Sequence, residues 1–351
     1  MNKHKKTFVI LVPGFPENEA DSACLPLQQS IVKNIKDAYP GLSPIVLSFQ
    51  YPYFKKKYDW LDIPVISFDG RNKGGLTRLL TRRSIFAALK EIHRSSEIVG
   101  LLSFWYGECA YVGKRFADKY GIRHYCWLMG QDAKKENKYP GILHLKSNEL
   151  IVLSDFLQEE FEKNHGTKPA HVIPPGVDSN QFPSMQPVKD IDILAAGSLI
   201  PLKQYSIFID IVSAIKKQMP GIKGVLVGDG PEKSKLQELI TKHDLQSTIT
   251  LTGELSHPEV LKMMQRAKLF LHTSSYEGFG MVCIEALYAG CEVISFNQVM
   301  KEDIERWHIV EDKEEMHRKV YQLLNTLNEP VKALPFAISQ SVDKVIRLFQ
   351  A

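Results

Sequence analysis

At 351 residues, 44% hydrophobic and 24% charged, the chain has room for two globular domains and is too apolar for a disordered protein. No apolar run reaches the roughly 18 residues of a membrane-spanning helix, and a net charge of +4 is too modest for a nucleic-acid binder. Five cysteines (Cys24, Cys109, Cys126, Cys283, Cys291) are odd in number and form no Cys-x-x-Cys pair, which points to reduced thiols in the cytoplasm.

The start, MNKHKKTFVILVPG, joins a basic tip to an apolar stretch too short for a signal sequence. It predicts a first core strand at Thr7–Val12, ended by Pro13-Gly14. Further strands are expected at Ser43–Phe49, Pro64–Ser67, Ile98–Ser103, His124–Met129 and Leu150–Ser154. Helical stretches lie between them, at Gln28–Ala38, Ser84–Ile92 and Tyr111–Lys119. Short apolar strands alternating with helices predict an α/β fold with a parallel sheet covered on both faces.

A polar, proline-bearing linker, Pro183–Asp190, precedes a second series. Its strands are expected at Ile191–Ala195, Gly224–Val227, Ile249–Thr252, Ala267–Thr273 and Glu292–Ser295. Its helices are expected at Ser206–Lys217, Glu232–Lys242, Pro258–Arg266 and Met281–Ala289. Two doubly wound, Rossmann-like sheets facing a central cleft follow from this, with ligands outside the carboxyl ends of the strands. In the tail, Val342, Val345, Ile346 and Phe349 share one helix face.

Charge is uneven along the chain. Residues 1–94 hold 15 Lys/Arg against 8 Asp/Glu, whereas the rest hold 29 against 32. The basic excess suggests an anionic partner met at the front, unless it is ordinary solvated charge. Tyr51–Trp60 mixes Lys55, Lys56 and Lys57 with five aromatic rings, and Arg71, Lys73, Arg78, Arg82 and Arg83 follow. That mixture suits an anionic membrane surface or a lipid-pyrophosphate acceptor, and equally a phosphorylated or acidic sugar chain.

The most informative segment is Ser274–Ser295, SSYEGFGMVCIEALYAGCEVIS. It follows a buried strand, and a Gly-Phe-Gly turn between Glu277 and Glu285 opens an apolar helix. Free backbone N–H groups and the positive helix end then point at whatever sits above the strand, and a phosphate is the natural guest. Glu277 lies beside it and Glu285 lies within reach of a neighbouring hydroxyl. A nucleotide-sugar fits this arrangement.

The segment resembles the Glu-x(7)-Glu signature of retaining glycosyltransferases of family 4, which have the two-domain GT-B fold. Four more stretches resemble that family in order and spacing: Val172–Phe182, Ala195–Gln204, Val225–Glu232 and Leu251–Met264. The resemblance implies a retaining, metal-independent hexosyl transfer from a nucleoside-diphosphate sugar to a glycan or lipid-linked acceptor. Such a reaction serves cell-surface polysaccharide or glycolipid synthesis, in the cytoplasm or peripherally on the inner membrane face. The sugar nucleotide is a substrate, and no cofactor is expected. The resemblance also implies an acceptor-binding domain at 1–185, joined by the last helix (337–351), and a donor domain at 190–336.

By the same resemblance, Glu277 contacts the transferred sugar and Lys203 the diphosphate, whose growing charge a cation would stabilise. Glu285 would accept hydrogen bonds from the ribose. Gly14, Ser198, Gly228, Gly253, Gly278, Phe279, Gly280 and Met281 fall at donor-binding positions, and Met129, Gln131 and Asp132 at acceptor-binding ones. Two positions depart from the pattern: Ser198 stands where an arginine is usual, and Met129 where a histidine is usual. For Gly14 a purely structural turn fits as well.

Gly228-Asp229-Gly230-Pro231 lacks the third glycine of a dinucleotide fingerprint and reads as a tight turn lining the nucleotide pocket. Asp190-Ile191-Asp192 has the Asp-x-Asp spelling of metal-diphosphate sites in another glycosyltransferase fold, but it opens a strand, and no metal is expected there. His93, His124, His144, His165 and His171 show no metal spacing. A nucleotide-sugar epimerase, or a sugar-nucleotide-binding relative that has lost catalysis, would carry the same motifs.

Overall fold

Lys6–Gly14 forms β1, whose side chains are buried on both faces over most of its length. A strand can bury both faces only when helices cover the sheet on either side. The computed structural model describes residues 6–184, 187–326 and 331–350. From β1 the chain runs through α1 (Pro26–Ala38), β2 (Ser43–Tyr51), β3 (Lys55–Trp60), β4 (Ile63–Phe68) and α2 (Gly75–Ser95). It continues as β5 (Glu97–Phe104), α3 (Glu108–Tyr120), β6 (His124–Leu128), a single turn α4 (Pro140–Leu143), β7 (Leu150–Val152), α5 (Asp155–His165) and β8 (His171–Val172).

These strands form one sheet in the order β3-β4-β2-β1-β5-β6-β7-β8. Every pairing is parallel except β3 with β4. The antiparallel β3 is an edge strand, where sequence pattern suggests a basic-aromatic surface patch. Its exposed Lys55, Lys56 and Lys57 suit an edge, where lysines discourage pairing with another sheet. Of the five rings in Tyr51–Trp60 only Tyr53 is exposed, because Trp60 is buried and Tyr58 donates to the Pro16 carbonyl at 2.5 Å. α2 begins nine residues ahead of the expected Ser84, at Gly75.

The second series comprises β9 (Ile191–Ala196), α6 (Tyr205–Lys216), β10 (Gly224–Val227), α7 (Lys233–Lys242), β11 (Ile249–Gly253) and α8 (His257–Arg266). It ends with β12 (Ala267–His272), α9 (Met281–Tyr288), β13 (Glu292–Ser295), β14 (Trp307–Ile309) and α10 (Lys313–Thr326). The sheet order is β11-β10-β9-β12-β13-β14, all parallel. Phe208, Val212, Leu226, Leu236, Leu269 and Ile294 sit at the centre of its core.

The last helix, α11 (Ile338–Gln350), belongs to the first unit. It buries Val342, Val345 and Ile346, and Phe349 packs edge-on against Phe8 and Tyr125, each at 4.8 Å. Phe349 lies over Gly100, where an added Cβ would come within 2.3 Å of the ring and force it to shift. One compact unit thus runs to Pro175 and takes in α11, and the other spans Gly176–Ala337. The division falls ahead of the expected Pro183–Asp190 linker, of which Met185 and Gln186 lie outside the described residues.

Candidate functional site

In the second unit β9 and β12 are neighbours, paired through Ile191 with Ala267 and Ile193 with Leu269. β10 and β11 continue to one side, β13 and β14 to the other. The winding therefore reverses between β9 and β12. At such a reversal the loops at the carboxyl ends diverge and leave a crevice. Lys203 is on the loop after β9, and Glu277 is on the loop after β12.

The two loops are stapled together. Thr273 Oγ1 donates to the Lys203 carbonyl at 2.6 Å, and the Ser275 N–H donates to the Leu202 carbonyl at 3.0 Å. Lys203 itself closes a short 3-10 turn, Pro201–Lys203. Its ammonium forms an ion pair with Glu277 Oε1. The same oxygen accepts from Ser274 Oγ at 2.9 Å and lies 3.1 Å from His272 Nε2. Burial would raise the Glu277 carboxyl, but His272 and Lys203 outweigh it and hold it at about 2. Glu277 is thus a firmly ionised carboxylate with three donors on one oxygen.

Glu285 is built the same way. It lies on α9 and is buried, and its Oε1 meets His257 Nε2 at 2.8 Å. His257 is the first residue of α8, whose start is fixed by a capping box between Ser256 and Glu259. Burial lowers the His257 imidazole, while the bond to Glu285 and its charge raise it further, so the net shift is upward. Each carboxylate of the Glu277/Glu285 pair therefore has its own histidine. Metal spacing, the criterion by which histidines stand out in a sequence, singles out neither. For His272 the available signal was position, at the end of β12 and five residues before Glu277; His257, 28 positions from Glu285, gave none.

The turn between the acids is partly structural. Phe279 is 2% exposed, and its ring packs edge-on against Phe336 at 5.7 Å and Trp307 at 6.2 Å. Its side chain is core, which leaves only its backbone to meet a ligand. Gly280 caps α9 in the left-handed region (φ 83°), and Gly278 and half-buried Met281 flank it.

Ser198 is exposed on the β9 loop. That loop rests on the β10 loop: the Leu199 N–H donates to the Asp229 carbonyl at 2.8 Å, and the Glu232 N–H donates to the Leu199 carbonyl at 3.0 Å. A Cβ at Gly228 would fall 2.0 Å from the Gly197 carbonyl oxygen. Gly228 also donates to the Gly253 carbonyl at 2.9 Å. Close backbone approach, rather than a ligand, is what requires glycine at Gly228. Another lysine on these loops, Lys233, pairs with Asp229 at 2.5 Å.

The Asp190-Ile191-Asp192 acids are both engaged by cations. Asp190 binds Arg266 at 2.6 Å, and Asp192 binds Lys268 at 2.7 Å.

Gly14, Met129, Gln131 and Asp132 belong to the first unit. Gly14 is the buried last residue of β1, so it sits in a strand and not in a free loop. Gln131 is exposed. Met129 Sδ accepts from Gln28 Nε2 at 3.2 Å. Asp132 is buried, and its carboxylate accepts from the N–H groups of Gly130 (2.8 Å), Tyr106 (2.8 Å) and Met129 (3.0 Å). These bonds make it the organiser of the loop after β6.

Residues 177–330 match the family model described as Glycosyl transferases group 1. Over 131 residues the chain is 31% identical to the gpi3 subunit of phosphatidylinositol N-acetylglucosaminyltransferase from Schizosaccharomyces pombe, covering 36% of this chain and 29% of the relative. Over 163 residues it is 29% identical to the GtfA subunit of the UDP-N-acetylglucosamine–peptide N-acetylglucosaminyltransferase of Streptococcus pneumoniae, covering 45% and 32%. The chain thus spans about a third of the length of these curated relatives. The crystal structure of Anabaena Alr3699/HepE with UDP and glucose superposes with a TM-score of 0.72 at 15% identity, over 99% of this chain and 100% of that one. Likeness of this extent establishes the two-domain GT-B fold.

Proposed function

We propose that the protein is a group 1 glycosyltransferase that moves a sugar, N-acetylglucosamine first among candidates, from a UDP-sugar to a glycan or lipid-linked acceptor. The observation that carries this is the Lys203–Glu277 ion pair, held by His272 and Ser274 at the start of α9 and at the reversal of the sheet. A family match over residues 177–330 supports it; both curated relatives are named for N-acetylglucosaminyl transfer and one of them for UDP-N-acetylglucosamine, which favours this donor.

The chemistry follows from the charges. Without ligand, Lys203 and Glu277 neutralise one another. An arriving diphosphate competes for the Lys203 ammonium, and the start of α9 adds its backbone donors. Glu277, relieved of its cation but still held by His272 and Ser274, is left to accept from the sugar hydroxyls. As the glycosyl bond breaks, charge grows on the diphosphate and Lys203 stabilises it. Glu285, oriented by His257, accepts from the ribose. On this reading the Lys203 ammonium takes the charge-stabilising role that a metal ion would otherwise fill, and retention is what the resemblance to family 4 implies.

The test is incubation of the full chain with UDP-N-acetylglucosamine and a panel of acceptors, with and without EDTA. UDP release with an α-linked product, insensitive to EDTA, is the expected result. Absence of UDP binding in calorimetry would sink the proposal. A second reading, a sugar-nucleotide binder without turnover, is motivated by the uncharged Ser198 and by the Met129 sulfur already engaged by Gln28. UDP binding without product across the panel is its signature.

A further inference from the structure

The first turns of α2 present leucine where the fold has no use for it. The helix buries Thr81, Ile85, Leu89 and Ile92, which face the sheet. Leu76, Leu79 and Leu80 sit at i, i+3 and i+4 on the opposite side, 71%, 43% and 50% exposed. They form an outward apolar stripe that no described residue of the first unit covers. Tyr53, 61% exposed, lies against the loop that leads into α2: Arg71 donates to its carbonyl at 3.2 Å and places its guanidinium 5.4 Å from the ring centroid.

Charge says what the stripe faces. Residues 70–90 contain six Lys/Arg and no Asp/Glu. Lys73, Arg78 and Arg83 surround the leucines and are exposed, Arg78 while also pairing with Glu108 at 3.3 Å. Arg82 instead anchors the helix, gripping Glu108 at 2.6 and 2.8 Å and lying 3.7 Å over the Tyr111 ring. The stripe is thereby held on a rigid support. Among the described residues no helix is long and apolar enough to cross a membrane. A short helix face with exposed leucines, an exposed tyrosine and a basic surround matches the anionic surface of a bilayer: apolar side chains enter the acyl boundary while cations meet phosphate headgroups.

We infer that the start of α2, with Leu76, Leu79, Leu80 and Tyr53 inserted and Lys73, Arg78 and Arg83 on the headgroups, docks the protein on an anionic membrane surface. This keeps Tyr53, Lys73, Arg78 and Arg83 of the basic and aromatic mixture expected from sequence and adds the leucines of α2; of the five rings in Tyr51–Trp60 only Tyr53 is exposed. It does not depend on the transfer reaction, since vesicle binding needs no sugar nucleotide and UDP binding needs no vesicle.

The experiment is co-sedimentation of the full chain with phosphatidylcholine vesicles, with and without phosphatidylglycerol, at low and high salt. The expected result is pelleting with the phosphatidylglycerol vesicles alone, weakened by salt. The triple variant Leu76→Gln, Leu79→Gln, Leu80→Gln, which keeps good helix formers, is expected to bind about tenfold more weakly or worse. Lys73→Glu with Arg83→Glu is expected to lose at least about fivefold per residue. A wild-type chain left in the supernatant at low salt overturns the proposal. So does a triple variant that pellets like wild type, and so does one whose only change is from dimer to monomer, which would make the stripe an interface between copies.

Discussion

His257 Nε2 lies 2.8 Å from Glu285 Oε1, joining the start of α8 to the middle of α9 through a half-buried histidine and a buried glutamate. The bond leaves the carboxylate's other oxygen for a ligand and fixes the direction in which it points. His257→Gln is therefore expected to weaken UDP binding by about fivefold, the worth of one positioning hydrogen bond. His257→Phe should do so by more. Calorimetry on both variants checks this, and equal affinity in all three proteins would remove His257 from the site.

The same pair makes stability depend on pH. Burial lowers the His257 imidazole, and Glu285 raises it by more, so its folded value stands above the ordinary 6.5. A raised folded value means that the pair's contribution is complete below about 6.5 and is lost as pH rises through the folded value. Wild type should thus exceed His257→Gln in stability by its full margin below the ordinary 6.5, and the margin should shrink as pH is raised above it. Urea denaturation of both proteins across a pH series reads it directly.

On the proposed function, Lys203 and Glu277 should divide binding from turnover. Lys203→Ala removes the cation that the proposed function sets against the diphosphate. Losing a charge-assisted bond of this kind costs about 1.5–3 kcal/mol, or roughly ten- to a hundredfold in UDP affinity. Glu277→Gln keeps the shape and removes the charge, so turnover should fall by about a hundredfold or more while the fold persists. Because the Glu277 carboxyl is held at about 2, its contribution to stability is present above the ordinary 4.5 and fades only as pH falls toward that low value. Acid should unfold Lys203→Ala at a higher pH than wild type. Kinetics, calorimetry and acid titration of the two variants check all three statements.

What the sequence made legible was what local pattern encodes. The core strands are apolar runs because both their faces are buried, and α9 announced itself by Gly280 followed by an apolar run. β3 was hidden because an edge strand carrying Lys55–Lys57 has no hydrophobic alternation. The first turns of α2 were hidden because Leu76, Leu79 and Leu80 lie on the face away from its core stripe. The histidines escape notice for a different reason. His257 meets an acid 28 positions away, and spacing along the chain does not encode a bond that only the packing of α8 on α9 creates. Gly228 looks like part of a phosphate loop, but its constraint comes from the Gly197 carbonyl.

That constraint can be tested. Gly228 has φ 145° and no space for a Cβ, whereas nothing lies within 4 Å of a Cβ at Gly41. Gly228→Ala should therefore destabilise by about 2–4 kcal/mol, from backbone strain plus displacement of the β9 loop. Gly41→Ala should stay within about 0.5 kcal/mol of wild type. Thermal melts of the two variants check this, and a Gly228→Ala protein as stable as wild type would show that the two loops separate freely.

Asp132 offers the sharpest contrast between a site residue and a structural one. Its two oxygens accept from the backbone N–H groups of Gly130, Tyr106 and Met129, which joins the loop after β6 to the loop after β5. Burial pushes its carboxyl up and these N–H bonds pull it down, with burial ahead. Asn has the same shape but turns an NH2 group toward N–H donors, so at least one buried donor loses its acceptor. Asp132→Asn is expected to cost about 2–4 kcal/mol of stability in the first unit. UDP affinity, which the proposed function assigns to the second unit, should stay unchanged. Proteolysis of the first unit alongside UDP calorimetry separates the two effects. If Asp132→Asn is as stable as wild type but loses transfer to the acceptor, then the residue meets the acceptor directly, as its position in the family pattern implies.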